Sequence, residues 1–475
     1  MAGIADKIRT EFSKWLSLPN YDTVDIVGAT LLANRLPGKP LWLAIVGPPA
    51  TGKTEVVQAL EGCARVHMID GLTPATFASG FRISKKSTQR FGLLAQMDDG
   101  EPHMIVVKDF STVLQKRADQ RGEILGQLRN LYDGKYFHPF GNDVTVSWRG
   151  KLGMIVCSTG QYDKELRSLA VFGDRFMVFR PPEGSREHVA ERAGRNAGLA
   201  KEMELALRGA YGLLDSIKIP KASPRVPLGA RRMIADLADF VTRARSQVPR
   251  NPYNRSVEDL PEIEGTARVA VQLNQLVKGL MLYFEREAIV DHDVDLAETL
   301  TFSTIPLIRS KVLSAMDLQG RMSGLDIARA MGVPGEVVRR TIEDLVLLEV
   351  LEHQGGQLHD PKSGWAIAKR WKPFVYRLQR WLETVDSSAR ALGLRRESDG
   401  SDDDPGGSEN GVGSGAGEAG DGLPDSESSG GSSGDSPVEG TGGSVPVRGG
   451  PGKRMLRPRR TKDHVESANP KRDPT

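Results

Sequence analysis

The apolar run LWLAIV (Leu41 to Val46) passes directly into GPPATGKT (Gly47 to Thr54) and then into a helical segment, EVVQALEGC. An unbroken apolar run of this length is the kind of strand buried on both faces in a parallel sheet. The residues after it fit G-x-x-x-x-G-K-[ST] in the strand, loop and helix setting that gives the pattern its meaning. The spacing has a physical reason. Gly47 and Gly52 let the main chain wrap a phosphate, and Pro48, Pro49, Ala50 and Thr51 form the loop between them. Amides at the helix start point at the anion. Lys53 reaches the β- and γ-oxygens, and Thr54 ligates Mg²⁺. A nucleotide triphosphate such as ATP, with Mg²⁺, is therefore the expected ligand.

Further apolar stretches follow in order: RVHMID (Arg65 to Asp70), HMIVVKDF (His103 to Phe110), KLGMIVCSTG (Lys151 to Gly160) and RFMVFR (Arg175 to Arg180). Helical segments lie between most of them, which predicts an α/β fold, a doubly wound parallel sheet covered on both faces. Ligands then belong at the carboxyl ends of the strands. Asp109 closes one strand and is placed to hold Mg²⁺ or its water. Ser158 and Thr159 close the next and are placed to orient an attacking water. A strand-end Ser-Thr pair is otherwise a local turn or a helix cap.

At 475 residues the chain is too long for one ordinary domain. Its 2 cysteines, Cys63 and Cys157, lie far apart and outside any CxxC or Cys/His cluster, which argues against a disulfide scaffold or a zinc finger. No apolar run approaches the length of a bilayer span, and the start MAGIADKIRTEFSKWL lacks the apolar segment of a secretory signal. These features predict a soluble, cytoplasmic protein with no membrane partner. Charge is unevenly placed. Glu397 to Val447 carries 12 acidic and no basic residues, whereas Arg448 to Thr475 carries 9 basic and 3 acidic. The rest is moderately basic, which is compatible with nucleic acid. Residues 397–475 hold 18 of the 52 glycines and almost no large apolar side chain, so they are expected to be disordered. The basic KRMLRPRRTK stretch suits phosphates, an acidic partner or the acidic stretch itself, or has only a solubilising role.

Taken together, the loop at Gly47, the acidic strand end at Asp109, the polar strand end CSTG and GDRF (Gly173 to Phe176) resemble an AAA+ ATPase. GKYFHPFGNDVTVSWRGK (Gly134 to Lys151) reads as two alternating strands around a Gly-Asn-Asp turn. Its position is similar to that of the hairpin before the first sensor in AAA+ helicases. GDRF resembles the arginine-finger segment of the minichromosome-maintenance helicases, which implies that Arg175 reaches a neighbouring subunit's ATP in a ring, such as a hexamer. The region from Glu264 to Leu300 resembles the sensor-2 helix of that group and implies a role for Arg268, with Arg231 and Arg232 as the competing choice. One departure stands out. The family ends its metal strand with Asp-Glu, whereas this chain has Lys108-Asp109-Phe110. Asp109 falls on either the metal or the catalytic position, and Glu123, Asp119 or Asp133 would have to supply the other carboxylate. Slow hydrolysis, or ATP used as a switch, follows from that departure.

The resemblance divides the chain into an N-terminal helical extension (1–38), an α/β ATPase core (39–182), an α-helical lid (183–303), a further small domain (304–396) and the tail (397–475). In the small domain, MSGLDIARAM begins behind Ser323 and breaks at Gly332, and PGEVVRRTIEDLVLLEVL follows. Ile327, Ala328, Val333, Val338, Ile342 and Leu345 form the expected core, and Glu352 to Trp371 reads as two short strands. The pattern looks like a winged helix, with Arg339 and Arg340 on the second helix and Lys362, Lys369 and Arg370 near the wing as DNA-phosphate contacts. Such domains also mediate protein contacts, and Glu336, Glu343 and Asp344 dilute the charge. Three functions remain open on the sequence: a DNA-remodelling motor whose hairpin (Lys135, Tyr136, Phe137, His138, Phe140, Arg149) tracks a strand, an ATP-dependent initiator or transcription switch, and a remodeller of protein complexes.

Overall fold

The computed structural model describes residues 2–79, 92–140, 145–166, 169, 173–251, 253–354 and 364–391, all within the unit Met1–Gly400. The expected disorder of 397–475, the Gly-Asn-Asp turn and Lys362 lie outside the described residues. In chain order the elements are α1 (Ile4–Trp15), α2 (Asp22–Arg35), β1 (Trp42–Val46), α3 (Lys53–Gln58), β2 (Val66–Ile69), β3 (Pro102–Val107), α4 (Ser111–Leu114), α5 (Ala118–Tyr132), β4 (Lys135–Pro139), β5 (Thr145–Arg149), β6 (Lys151–Ser158), α6 (Gln161–Lys164) and β7 (Phe176–Phe179). They continue with α7 (Arg186–Arg195), α8 (Ala200–Gly212), α9 (Leu228–Arg245), α10 (Ala267–Tyr283), α11 (Asp291–Thr304), α12 (Leu307–Ala315), α13 (Gly324–Met331), α14 (Gly335–Leu347), β8 (Leu351–Gln354), β9 (Gly364–Ile367) and α15 (Lys372–Ala391).

Five parallel strands form one sheet in the order β2-β3-β6-β1-β7. Strand alternation divides their apolar side chains between two cores. Leu43 and Ile45 join Val56 and Val57 of α3 and the residues of α2 on one face. Trp42, Ala44 and Val46 join Ile124 and Leu128 of α5 on the other. This is why β1 has no polar position: both of its faces are covered. The chain leaves β1 toward the β2 edge and leaves β6 toward β7. Right-handed crossovers taken in opposite directions put their helices on opposite faces. A crevice therefore opens between the carboxyl ends of β1 and β6, where open α/β sheets place ligands.

The first helices belong to the interior more fully than an extension would. Every residue of α2 from Thr23 to Asn34 is buried, with the sheet on one side and α10 on the other. Asn34 fixes its exit, donating from Nδ2 to the Leu41 carbonyl (2.9 Å) while its Oδ1 accepts from the Leu41 amide (3.0 Å). Small residues set the approach of α10, because a Cβ on Gly279 would lie 2.2 Å from the Ala29 carbonyl oxygen. Gly279→Val is therefore expected to destabilise the fold by roughly 2–3 kcal/mol, the upper part of the range for overpacking, because the clash is with backbone. A thermal melt unchanged from the parent would show that α2 and α10 separate without cost.

The free edge of β7 is covered by α11. The Thr304 hydroxyl accepts from the Val178 amide (3.0 Å), and the Ser303 hydroxyl accepts from the Arg180 amide (2.5 Å), which caps backbone groups that an open edge would expose. Beyond α12, Ser323 caps α13 by accepting from the Asp326 amide (3.2 Å), and Gly332 ends that helix at φ 62°, as the sequence suggested. Ile327, Ala328, Val338, Ile342 and Leu345 are buried, Val333 is half-buried, and β8 and β9 pair antiparallel. No described helix is long and apolar enough to cross a membrane.

Candidate active site

The loop from Gly47 to Gly52 leaves the carboxyl end of β1 at that crevice. Ala50 (φ 60°) and Gly52 (φ 75°) both adopt left-handed backbone, a conformation that an L-residue such as Ala50 rarely takes. Alternating the hand of successive residues turns their amides toward a common point, the geometry of an anion nest. Among the described residues, the amides of Ala50, Thr51, Gly52, Lys53 and Thr54 donate to no protein acceptor, whereas Gly47 N–H donates to the Ser158 carbonyl (3.2 Å) and Val56 N–H to the Gly52 carbonyl (3.1 Å). Pro48 and Pro49 have no amide to offer and are exposed. Lys53 folds back over the loop. It is buried, and its Nζ donates to the Pro48 carbonyl and to Thr51 Oγ1 (3.0 Å). Burial lowers its ammonium below the usual lysine range, so an incoming anion would meet a cation held by neutral oxygens alone. Thr54, one residue on, is exposed at the start of α3.

Asp109 and Thr159 join this loop through a chain of hydrogen bonds that the sequence did not reveal. Asp109 is exposed past the end of β3, and its Oδ1 accepts from the Ser111 amide (2.9 Å). Ser111 Oγ lies 3.1 Å from Ser158 Oγ and accepts from the Thr159 amide (3.2 Å). Ser158 in turn holds Gly47. Ser111 is thus the residue that links both strand ends to the loop, and the only hint of it was its place two residues after an aspartate, where Asx turns form. Lys108 turns away and pairs with Asp70 (2.5 Å). Of the substitutes for a second carboxylate, Glu123 is exposed on α5, Asp119 sits near Arg117 (3.4 Å), and Asp133 caps the far end of α5. That end adjoins β4 and the amino ends of the strands, so Asp133 does not share the edge with Asp109. Arg180, at the carboxyl end of β7, is bound to Asp163 (2.5 Å) and to the Ser303 carbonyl, which ties α11 to this edge.

Arg175 and Arg268 form a second group at the opposite edge. Arg175 precedes β7, whose Phe176 is in register with Trp42 at the start of β1. The length of β1 separates it from the loop by roughly 15 Å. Its Nη1 donates to the Gly173 carbonyl (2.7 Å), and its guanidinium lies over the Tyr132 ring, 5.4 Å from the centroid. Burial and then repulsion from Arg268 lower its pKa. Asp174 is the anchor of this GDRF turn: it accepts from the Phe176 amide (3.0 Å), and burial raises its carboxyl pKa. Arg268 donates to the Asp174 carbonyl (2.9 Å) and pairs with Glu264 (3.3 Å), which Arg245 also holds (2.6 Å). The two arginines suggested for catalysis are thus brought together, and neither lies at this chain's own loop. Arg231 and Arg232 are exposed at the start of α9.

In the hairpin β4–β5, Tyr136, Val146 and Trp148 face inward, and Lys135, Phe137, Ser147 and Arg149 face outward. Phe137 is 70% exposed. Of the aromatics expected to contact a strand, Tyr136 is therefore spent on packing, as strand alternation requires. On α14, Glu336 accepts from Arg339 (2.8 Å) and Arg340 (2.7 Å), and these two guanidiniums pull its carboxyl pKa down to about 2. Arg370 pairs with Glu349 (3.1 Å) and stacks on Trp371, while Lys369 is exposed. Further along α14, Asp344 holds Arg250 (2.7 Å) and the buried Arg309 (3.0 Å). No protein-family model and no curated protein matches this chain.

Proposed function

We propose that the protein is an AAA+ ATPase that binds ATP with Mg²⁺ at the Gly47–Thr54 loop and acts on DNA as a helicase-like or initiator-like motor, working as a ring with a winged helix at 304–396. The observation that carries the reading is the run of five unpartnered amides from Ala50 to Thr54, set around two left-handed residues at the sheet's crevice. Those amides and Lys53 suit the phosphates, and Thr54 and Asp109 suit the metal ion, which would neutralise charge on the transferred phosphoryl group. Thr159, held by Ser111, is positioned to orient water. Arg175 and Arg268 lie at the far edge, so their reach to a phosphate requires a neighbouring subunit. This supports a ring with ATP between subunits. The outward face of the hairpin supplies the aromatic and basic side chains that tracking a strand requires.

The departure at Lys108-Asp109 favours a second reading, an assembly switch with slow turnover, because a lysine paired with Asp70 stands where the resemblance calls for one of two adjacent carboxylates. ATP turnover with and without single- and double-stranded DNA separates the readings. Stimulation by DNA is expected of the motor, a slow rate indifferent to strand type favours the switch, and complete indifference to DNA contradicts both.

On the winged-helix reading, Glu336 competes with DNA phosphates for Arg339 and Arg340. Glu336→Gln is expected to tighten duplex binding roughly threefold, the scale of one exposed ion pair. Fluorescence anisotropy with a labelled duplex measures this, and weaker binding would mean that Glu336 positions the arginines instead of masking them.

A further inference from the structure

Elsewhere in the fold, buried and half-buried arginines meet carboxylates: Arg9 meets Asp25, Arg245 meets Glu264, and Arg250 and Arg309 meet Asp344. A groove between residues 37–39, residues 223–226, the start of α9 and the outer side of α10 differs. It has a volume of about 870 Å³, and Lys39, Arg225, Arg231 and Lys278 line it with no acidic side chain among them. Among the described residues, none of these four cations has a carboxylate within ion-pair distance. Lys278 Nζ donates to neutral oxygens, Ser223 Oγ (2.9 Å) and Gln275 Oε1 (3.4 Å), and burial lowers its pKa.

Two features concentrate positive charge here further. Arg231 stands at the start of α9, where the helix exposes its positive pole, and the first turn of α9 has no acidic residue. From Ser216 to Ala235 the sequence contains Lys218, Lys221, Arg225, Arg231 and Arg232 and no Asp or Glu. Gathering like charges in a concave site costs free energy unless an anion enters. The groove is far larger than one oxyanion, and Pro37, Pro224 and the exposed Val271 add apolar surface beside the cations. That mixture suits a chain of sugars and phosphates better than a bare inorganic ion.

We propose that this groove binds the phosphate backbone of a nucleic-acid strand, as a contact surface separate from α14 and from the Gly47–Thr54 loop. The inference rests on the reading that the protein acts on DNA. It is tested by anisotropy with labelled single-stranded and duplex oligonucleotides across about 50 to 200 mM salt, comparing the full chain with Arg225→Gln/Arg231→Gln, with Lys278→Gln and with Arg339→Gln/Arg340→Gln. Arg225 and Arg231 are exposed, so their replacement leaves the packing intact. The Arg225/Arg231 variant is expected to bind about tenfold more weakly, with a salt slope shallower by roughly 1.4 to 1.8, the loss of two phosphate contacts. The Lys278 variant should lose roughly half as much slope. If the parent and the α14 variant bind DNA differently while the groove variants match the parent in affinity and slope, the groove proposal is overturned and the DNA reading stands. If the parent binds neither oligonucleotide, both fall. Binding of inorganic tripolyphosphate alone, abolished by the groove substitutions, would overturn the strand in favour of a small polyphosphate.

Discussion

Replacing Arg175 with alanine is expected to lower ATP turnover by about a thousandfold or more, the scale of an arginine supplied to a transferring phosphoryl group, while leaving nucleotide affinity within about twofold of the parent. The split follows from position. Arg175 sits before β7 at the amino edge of the sheet, and the Gly47–Thr54 loop leaves the carboxyl edge, so the residue cannot contribute to binding in its own subunit. Its guanidinium is held by the Gly173 carbonyl and the Tyr132 ring, which orient it at that edge. Arg175→Lys should recover little, because an ammonium lacks the planar fork. Mixing the alanine variant with Lys53→Ala should restore part of the turnover, since a mixed ring contains interfaces with both an intact loop and an intact arginine. Full turnover by Arg175→Ala alone would reduce the residue to a local structural role and remove the argument for a ring.

Lys53→Ala is expected to weaken ATP binding by about 10- to 100-fold or more, from the loss of a charge-assisted contact to phosphate, and to abolish measurable turnover. The fold should survive. Lys53 donates to the Pro48 carbonyl and to Thr51, both in an exposed or half-exposed loop where water can replace it. Among the described residues this buried cation makes no ion pair, which is costly to keep, so its removal should leave the melting temperature unchanged or slightly raised. A variant that retains full nucleotide affinity would show that the loop does not cradle the phosphates.

The parts of the fold legible in the sequence were those written in local pattern. The apolar runs at 41–46, 103–107, 151–158 and 176–179 became strands because each is apolar at both alternating positions. Ser323 and Gly332 marked a helix start and stop by chemistry that acts over three or four residues. The two strands of the hairpin were legible too, but not which of its aromatics faces inward: Tyr136, counted among the strand-tracking residues, is buried. What escaped was set by contacts between distant segments. The α2 helix lies wholly inside because α10, some 240 residues later, covers its outer side; nothing within 22–35 distinguishes that burial from a short apolar helix. The setting of Arg175 depends on Tyr132 and on Gln272, which donates to the Arg175 carbonyl (2.7 Å) from 97 residues away. Ser111 joins Asp109 to Thr159 only because β3 and β6 are neighbours. The pairing of Glu336 with Arg339 and Arg340 was readable in principle, since residues three and four apart share a helix face.

Every proposed role of this protein requires that the Gly47–Thr54 loop grip a triphosphate with its metal ion. Isothermal titration of the purified full chain with ATP and Mg²⁺ tests it most directly, with Lys53→Ala and omission of Mg²⁺ as companion titrations. The parent is expected to give a saturable binding isotherm, weakened by loss of the metal ion and by the substitution. A parent chain that takes up no adenine nucleotide, or one whose affinity is the same with Lys53 replaced, would contradict it.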